Sequence, residues 1–124
     1  LQSDFEQAVE FLHRPDVLFH DTDAAPVDES RAMMHDSGQA VTHRDFVTCH
    51  RFDVRDRLEE IQVPTLALVG EYDRLTPRWY HEYLADNLPD CGMVVVDDAA
   101  HLAMFERPGP FNDALLEFFE DVQV

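Results

Sequence analysis

Two short apolar runs, Leu66-Ala67-Leu68-Val69 and Met93-Val94-Val95-Val96, frame one amphipathic stretch from Pro77 to Leu88. Runs of that length, rich in Val and Leu and separated by a helical pattern, predict a β-α-β unit. Such a crossover makes its strands parallel, so both carboxyl ends open on the same edge of the sheet, where ligand crevices form in open α/β folds. Asp73 and His101 fall just past those ends and are expected to face one site.

Elsewhere the period is helical. Ser3-Asp4-Phe5-Glu6 fits a capping box, and Phe5, Ala8, Val9 and Leu12 follow at helical spacing, predicting a helix over residues 4–12. Pro15, Asp21-Thr22-Asp23 and Pro26 predict a loop, after which Pro26 to Asp28 open a helix carrying Ala32, Met33 and Met34 that Gly38 ends. Thr42-His43-Arg44-Asp45 reads as a further cap before a short helix with Phe46, Val47 and Cys49. Val54, Leu58 and Ile61 mark another over residues 53–61. Thr76-Pro77 supplies a cap and a first-turn proline for the crossover helix, whose Tyr80, Leu84 and Leu88 form one buried stripe. The last helix begins near Pro110 and carries Phe111, Leu115, Phe118, Phe119 and Val122 on one face. Residues 1–61 are thus all helix and loop, and residues 62–124 alternate strand and helix.

A run such as Leu66 to Val69, apolar at every position, expects cover on both faces, which two strands and two helices cannot supply. More strands are expected, and with a leading Leu1 directly before a helix start the sequence reads as a piece of something longer.

Composition narrows the partners. At 124 residues and 45% apolar, the chain can form one ordered domain. Its net charge of −17 comes from 26 acidic residues against 9 basic ones, every one an Arg. Such a surface repels phosphate backbones and anionic lipid, so nucleic acid and membrane are excluded as expected partners. A Lys-free acidic surface also resembles proteins of salt-loving organisms, in which screening offsets self-repulsion. Cys49 and Cys91 lack a metal-ligand or disulfide-scaffold spacing, which predicts a reduced, cytoplasmic chain. No apolar run approaches the roughly 18 residues of a membrane span, and no basic-then-apolar leader opens the chain.

An acid beside a histidine at a sheet edge is the orienting and proton-transferring half of a nucleophilic triad. Asp73 could instead only cap the turn before Thr76-Pro77, His101 could be a solvated loop histidine, and Asp97, Asp98 and Glu71 are rivals for the acid. His13 and His20, like His43 and His50, stand seven apart, a spacing no metal geometry favours, so no metal site is expected. Cys49, with apolar neighbours Phe46 and Val47, is expected to be a buried small hydrophobe rather than a thiol nucleophile. Trp79, Tyr80 and Tyr83 are expected to pack on the sheet, and Met33 and Met34 to line a pocket.

The segment Ile61-Gln62-Val63-Pro64-Thr65-Leu66-Ala67-Leu68-Val69-Gly70-Glu71-Tyr72-Asp73-Arg74-Leu75-Thr76-Pro77, followed by Ala99-Ala100-His101-Leu102 and Glu106-Arg107-Pro108, resembles the carboxyl-terminal third of α/β-hydrolase-fold enzymes. The acid-to-histidine order and the 28-residue separation are similar to that family's, in which the acid follows the seventh strand and the histidine the eighth. The resemblance implies that Asp73 is the triad acid, that His101 is the triad histidine, and that residues 1–61 are the end of a helical lid. The implied fold class is α/β, the carboxyl-terminal portion of an α/β-hydrolase fold with two parallel strands, flanking helices and a preceding lid segment. No G-x-S-x-G elbow and no oxyanion-hole loop occurs, and Ser3, Ser30 and Ser37 are the only serines.

The expected whole is therefore a serine-type hydrolase of small esters or lactones, with a small-molecule substrate, no cofactor, and the amino-terminal part of the same fold as the missing partner. The chain alone is expected to be inactive. An aspartate nucleophile would instead make it part of an epoxide hydrolase or dehalogenase, and a non-catalytic remnant or interaction module is the reading from another class. Oligomeric state and nucleophile identity stay open at this level.

The charge pattern generates the first prediction. The screening length falls from about 10 Å at 0.1 M salt to about 3 Å at 1 M. Thermal unfolding followed by circular dichroism should therefore show a clearly higher midpoint in molar NaCl than at low salt, and a midpoint indifferent to salt would overturn the halophilic reading.

Overall fold

A computed structural model of the chain describes residues 3–122, so residues 1, 2, 123 and 124 of the two expected segments lie outside it. The element order is α1 (Asp4–Leu12), α2 (Ala25–Arg51), a 3-10 helix (Arg55–Glu60), β1 (Thr65–Gly70), α3 (Arg78–Asn87), β2 (Cys91–Val96), α4 (Ala103–Glu106) and α5 (Pro108–Asp121). The capping box forms as the sequence predicts: the Glu6 N–H donates to the Ser3 hydroxyl at 3.2 Å and the Ser3 N–H to the Glu6 carboxylate at 2.9 Å.

Strands β1 and β2 pair in parallel, from Thr65 opposite Cys91 to Gly70 opposite Val96. They therefore end level with one another, as the crossover requires. Burial is uneven: Ala67 and Val69 are covered, whereas Gly92 and Val94 are exposed. The two strands thus lack cover that a complete parallel sheet would have, and the chain forms part of an α/β fold.

The helical half departs from expectation in several ways. The expected helices over 26–37 and from about 42 onward are joined, with the second segment starting directly after Gly38 rather than at Thr42. Gly38 breaks the helix with φ +79 and ψ 165, and just before it the Ser37 hydroxyl donates to the Met33 carbonyl one turn back. Residues 55–60 wind as a 3-10 rather than an α-helix. Cys49 is exposed, not a buried hydrophobe. Tyr80 is likewise exposed and only Leu88 of its stripe is buried, while Trp79 stacks on Tyr80 instead of on the sheet. Helix α5 starts at Pro108, and Phe119 of its expected stripe is half exposed. Among the described residues no helix is long and apolar enough to cross a membrane.

The core that matters for the site gathers Leu12, Leu18, Phe19 and Val27, with Leu75 and Leu102 packed against it. Those two leucines flank the expected site residues, so the helical half and the strand ends share one apolar cluster. A second cluster of Val96, Ala99 and Ala103, with Leu68 and Phe111 against it, anchors the segment after β2.

At the end of β1 the backbone passes very close. A Cβ on Gly70 would stand 2.1 Å from the Ala100 carbonyl oxygen and 2.5 Å from that of Ala99, both rigid main-chain atoms. Gly70→Ala should therefore lower the urea unfolding midpoint, at a cost of at least about 1–3 kcal/mol, whereas Gly92→Ala, which meets only a Leu66 methyl at 3.6 Å, should be tolerated. Equal midpoints for the two variants would contradict the close approach.

Candidate active site

The turn after β1 is built by Asp73. Its Oδ1 accepts the main-chain N–H groups of Leu75 and Thr76, each at 2.9 Å, which is the capping role expected of an aspartate at such a turn. Its other oxygen is thereby aimed across the strand ends. Oδ2 accepts the Thr76 hydroxyl at 3.0 Å and lies 3.0 Å from Nδ1 of His101. Asp73 thus holds its own turn and at the same time reaches His101 through Oδ2.

His101 follows β2 on a segment tied to both neighbours. Tyr72 N–H donates to the Ala99 carbonyl at 2.9 Å, while His101 and Leu102 donate to the carbonyls of Val17 at 3.2 Å and Leu18 at 2.8 Å. The ring's Nδ1–H is shared between Asp73 Oδ2 and, at 3.1 Å, the Thr76 hydroxyl oxygen. Nε2 has no hydrogen-bond partner among the described residues, and the side chain is 32% exposed while that of Asp73 is 3% exposed. The imidazole is thus fixed at its inner nitrogen and reachable at its outer one.

Burial alone pushes the Asp73 carboxyl up. The hydrogen bond from His101, the Thr76 main-chain donor, the imidazole charge and the Thr76 hydroxyl outweigh it, and the net direction is down from 3.8. The group is therefore an anion wherever the protein is folded at neutral pH, able to stabilise a positive imidazolium. Asp53 falls further, to about 2, through its side-chain hydrogen bond with Arg55, but that pair is solvent-exposed and far along the chain from His101.

The rivals go elsewhere. Glu71 accepts the Asp98 N–H at 3.1 Å, Asp98 bends with φ 54, and Asp97 is exposed. His13 is buried, with Nδ1 2.7 Å from the Val9 carbonyl and Nε2 3.0 Å from the Ser30 hydroxyl, which makes it a satisfied core histidine. His20 sits 2.6 Å from Asp16 and stacks on Tyr72. Among the described residues no group of His, Cys, Asp or Glu is arranged to hold a metal ion. Sequence reasoning missed Thr76 as a site residue, having made it a helix cap; Pro77 occupies that cap position instead. Its signal was the Asp-x-x-Thr spacing, which suits a hydroxyl turning back to a carboxylate.

A cleft of about 380 Å³ has walls that include Phe19, Met33, Met34, Phe46, Leu102 and Phe105. Leu102, one of its walls, follows His101 directly in the chain, while His101 and Asp73 themselves do not line it. Met33 and Met34 both line it, as the sequence led one to expect, and Glu29 and Asp45 add negative charge.

The profile of the alpha/beta hydrolase family matches residues 3–114. A protein of Azorhizobium caulinodans provisionally named carbamate hydrolase RutD is 30% identical over 112 residues, covering 90% of this chain and 42% of that protein. The solved structure of a thermophilic esterase superposes with a TM-score of 0.87 at 33% identity over 97% of this chain and 48% of its own. Est816, described as an N-acyl homoserine lactone degrading enzyme, superposes with a TM-score of 0.75 at 28% identity over 94% and 48%. The chain thus spans less than half the length of each of these relatives.

A carboxyl whose folded pKa is depressed contributes stability in full above its unfolded value and loses it as pH falls through the folded one. Asp73 should therefore stabilise the fold at neutral pH, begin to lose that contribution near pH 3.8 and lose the rest as pH falls on through its lowered folded value. Asp73→Asn, which keeps the shape but sets an amide against donors, should cost about 1–3 kcal/mol at pH 7. It should also flatten the loss of stability on acidification; urea midpoints measured across that range check both, and parallel wild-type and variant curves would refute the assignment.

Proposed function

Since the chain belongs to the α/β hydrolase family, we propose that it is the lid end (residues 1–61) and the carboxyl-terminal core (residues 62–124) of a serine-type hydrolase of small, rather apolar esters or lactones. In this reading Asp73 is the triad acid and His101 the triad histidine. The observation that carries it is the 3.0 Å contact between a buried carboxylate and Nδ1, with Nε2 left accessible.

The chemistry follows from the two nitrogens. With Nδ1–H held by Asp73, the neutral ring presents a lone pair at Nε2, the tautomer a general base requires. Nε2 would take the proton from a nucleophile carried by the amino-terminal part of the fold and pass it to the leaving group. It would then activate water for the second half-reaction. The Asp73 charge stabilises the imidazolium formed in each step, and Thr76 keeps Oδ2 aimed at the ring.

Relatives named for carbamates, esters and acyl lactones all work on carbonyl carbon. That favours an acyl-transferring serine over the aspartate nucleophile of epoxide hydrolases and dehalogenases. The apolar cleft next to Leu102 supports a neutral, apolar acyl or alcohol group, and its acidic margin disfavours anionic ones. A non-catalytic remnant would have no use for a fully hydrogen-bonded Asp–His pair with a free outer nitrogen. The nucleophile and the oxyanion donors belong to the other part of the fold, so this chain by itself is inactive in our reading.

The test is hydrolysis of short acyl esters by the full-length protein, wild type beside His101→Ala. The variant should lose activity by a factor on the order of 10⁴–10⁶, and the isolated chain should show none. Activity retained in His101→Ala would overturn the role given to the imidazole.

A further inference from the structure

The segment bearing His101 has no regular structure, and it is held from below by one further carboxylate. Glu106, at the end of α4, accepts the main-chain N–H of Ala100 on Oε2 at 2.7 Å. Its Oε1 accepts those of His20 at 2.8 Å and Asp21 at 2.9 Å. A single side chain therefore takes three main-chain donors from two segments far apart in sequence. No ion pair of Glu106 is formed with a cationic side chain among the described residues, so its charge is met by peptide dipoles alone.

The three donors are not equal. Ala100 is fully buried, so its N–H has no recourse to water, whereas Asp21 is exposed. Loss of the acceptor would leave a buried donor unsatisfied at the residue immediately before His101, and the segment would have to move to find another partner. The other anchors of this segment, His101 N–H to Val17 and Leu102 N–H to Leu18, reach the same lid loop that Glu106 grips at His20 and Asp21. Glu106 thus clamps both sides of the contact that sets the height of the imidazole above Asp73.

We propose that Glu106 is a positioning residue for His101, binding Ala100 and the 20–21 loop so that Nδ1 stays within hydrogen-bond reach of Asp73. This rests on the reading of His101 as the general base. Glu106→Gln preserves the length of the side chain but sets an amide NH2 against at least one of the N–H donors. In the full-length protein its kcat should fall about 10²-fold with KM little changed, the consequence of a misplacement of about 1 Å. The downfield proton resonance of the His101 Nδ1–H···Asp73 hydrogen bond should move upfield or broaden. In a His101→Ala background the same substitution should produce no further loss, since it acts through the ring it no longer has to place.

Normal kcat with an unmoved resonance and only a lower melting temperature would reduce Glu106 to a structural brace and overturn the proposal. Full additivity with His101→Ala would overturn it too. If His101→Ala itself keeps full activity, the failure lies in the functional reading, while the proton resonance still reports on the clamp. Should Glu106→Gln fail to fold, Glu106→Asp, which keeps the anion but shortens its reach, is read in the same way with a smaller loss.

Discussion

The close passage of the main chain over Gly70 is the constraint from which the site follows. Strands of equal reach end level at Gly70 and Val96, and the chain leaving β2 must cross the end of β1 to meet the turn that β1 feeds. It does so with the Ala99 and Ala100 carbonyls packed where any side chain at position 70 would begin. Only because that crossing is so tight do the hydrogen bonds Glu71 N–H to Val96 and Tyr72 N–H to Ala99, both 2.9 Å, form at all. They in turn leave Asp73 and His101 facing each other across a hydrogen-bond length. A parallel pair offset by even one residue would lift the imidazole out of reach.

Two carboxylates do most of the remaining fixing, and both do it through main-chain donors. Asp73 holds its own turn and the ring; Glu106 holds the segment that precedes the ring and the loop at His20 and Asp21. Hydrogen bonds to charged groups contribute about 1.5–3 kcal/mol where water is excluded, although desolvation of the carboxylate offsets part of that. The exposed pairs Arg78–Glu82 and Arg57–Glu60 belong to a different regime, in which screening by water leaves little net stabilisation. In a chain with so large an excess of acid, the few carboxylates that matter for geometry are those solvated by the backbone.

What the sequence disclosed was whatever depends on local spacing. The two apolar runs, the crossover helix, the capping box at Ser3 and the positions of Asp73 and His101 past the strand ends were all legible, because period and end signals act within a few residues. The role of Glu106 was not, since its donors at His20 and Ala100 lie on segments that only the folded chain brings together. Thr76 was misread because a threonine before a proline suits a helix cap and a carboxylate partner equally well. The exposure of Cys49, Tyr80 and Phe119 was missed for another reason. Periodicity shows that a helix has an apolar face but not whether this stretch of chain contains what covers it, and the relatives are more than twice as long.

The loop over residues 16–21 is part of the support of Asp73 and His101. Residues 16–18 accept main-chain donors from Arg74 near Asp73 and from His101 and Leu102, so one loop touches the segments that carry Asp73 and His101. Asp16 makes that possible by adopting φ 64, a conformation that costs an ordinary residue energy, and it is held there by His20 at 2.6 Å and by its N–H to the Phe19 carbonyl. Phe19 and Leu102 then continue from the same residues into the wall of the cleft. The surface that would receive the apolar part of a substrate and the backbone that sets the imidazole are consequently one piece of structure. The hydrogen bonds from His101 N–H to Val17 and from Leu102 N–H to Leu18 join the two directly, with no unbonded segment between Leu102 in the cleft wall and the histidine.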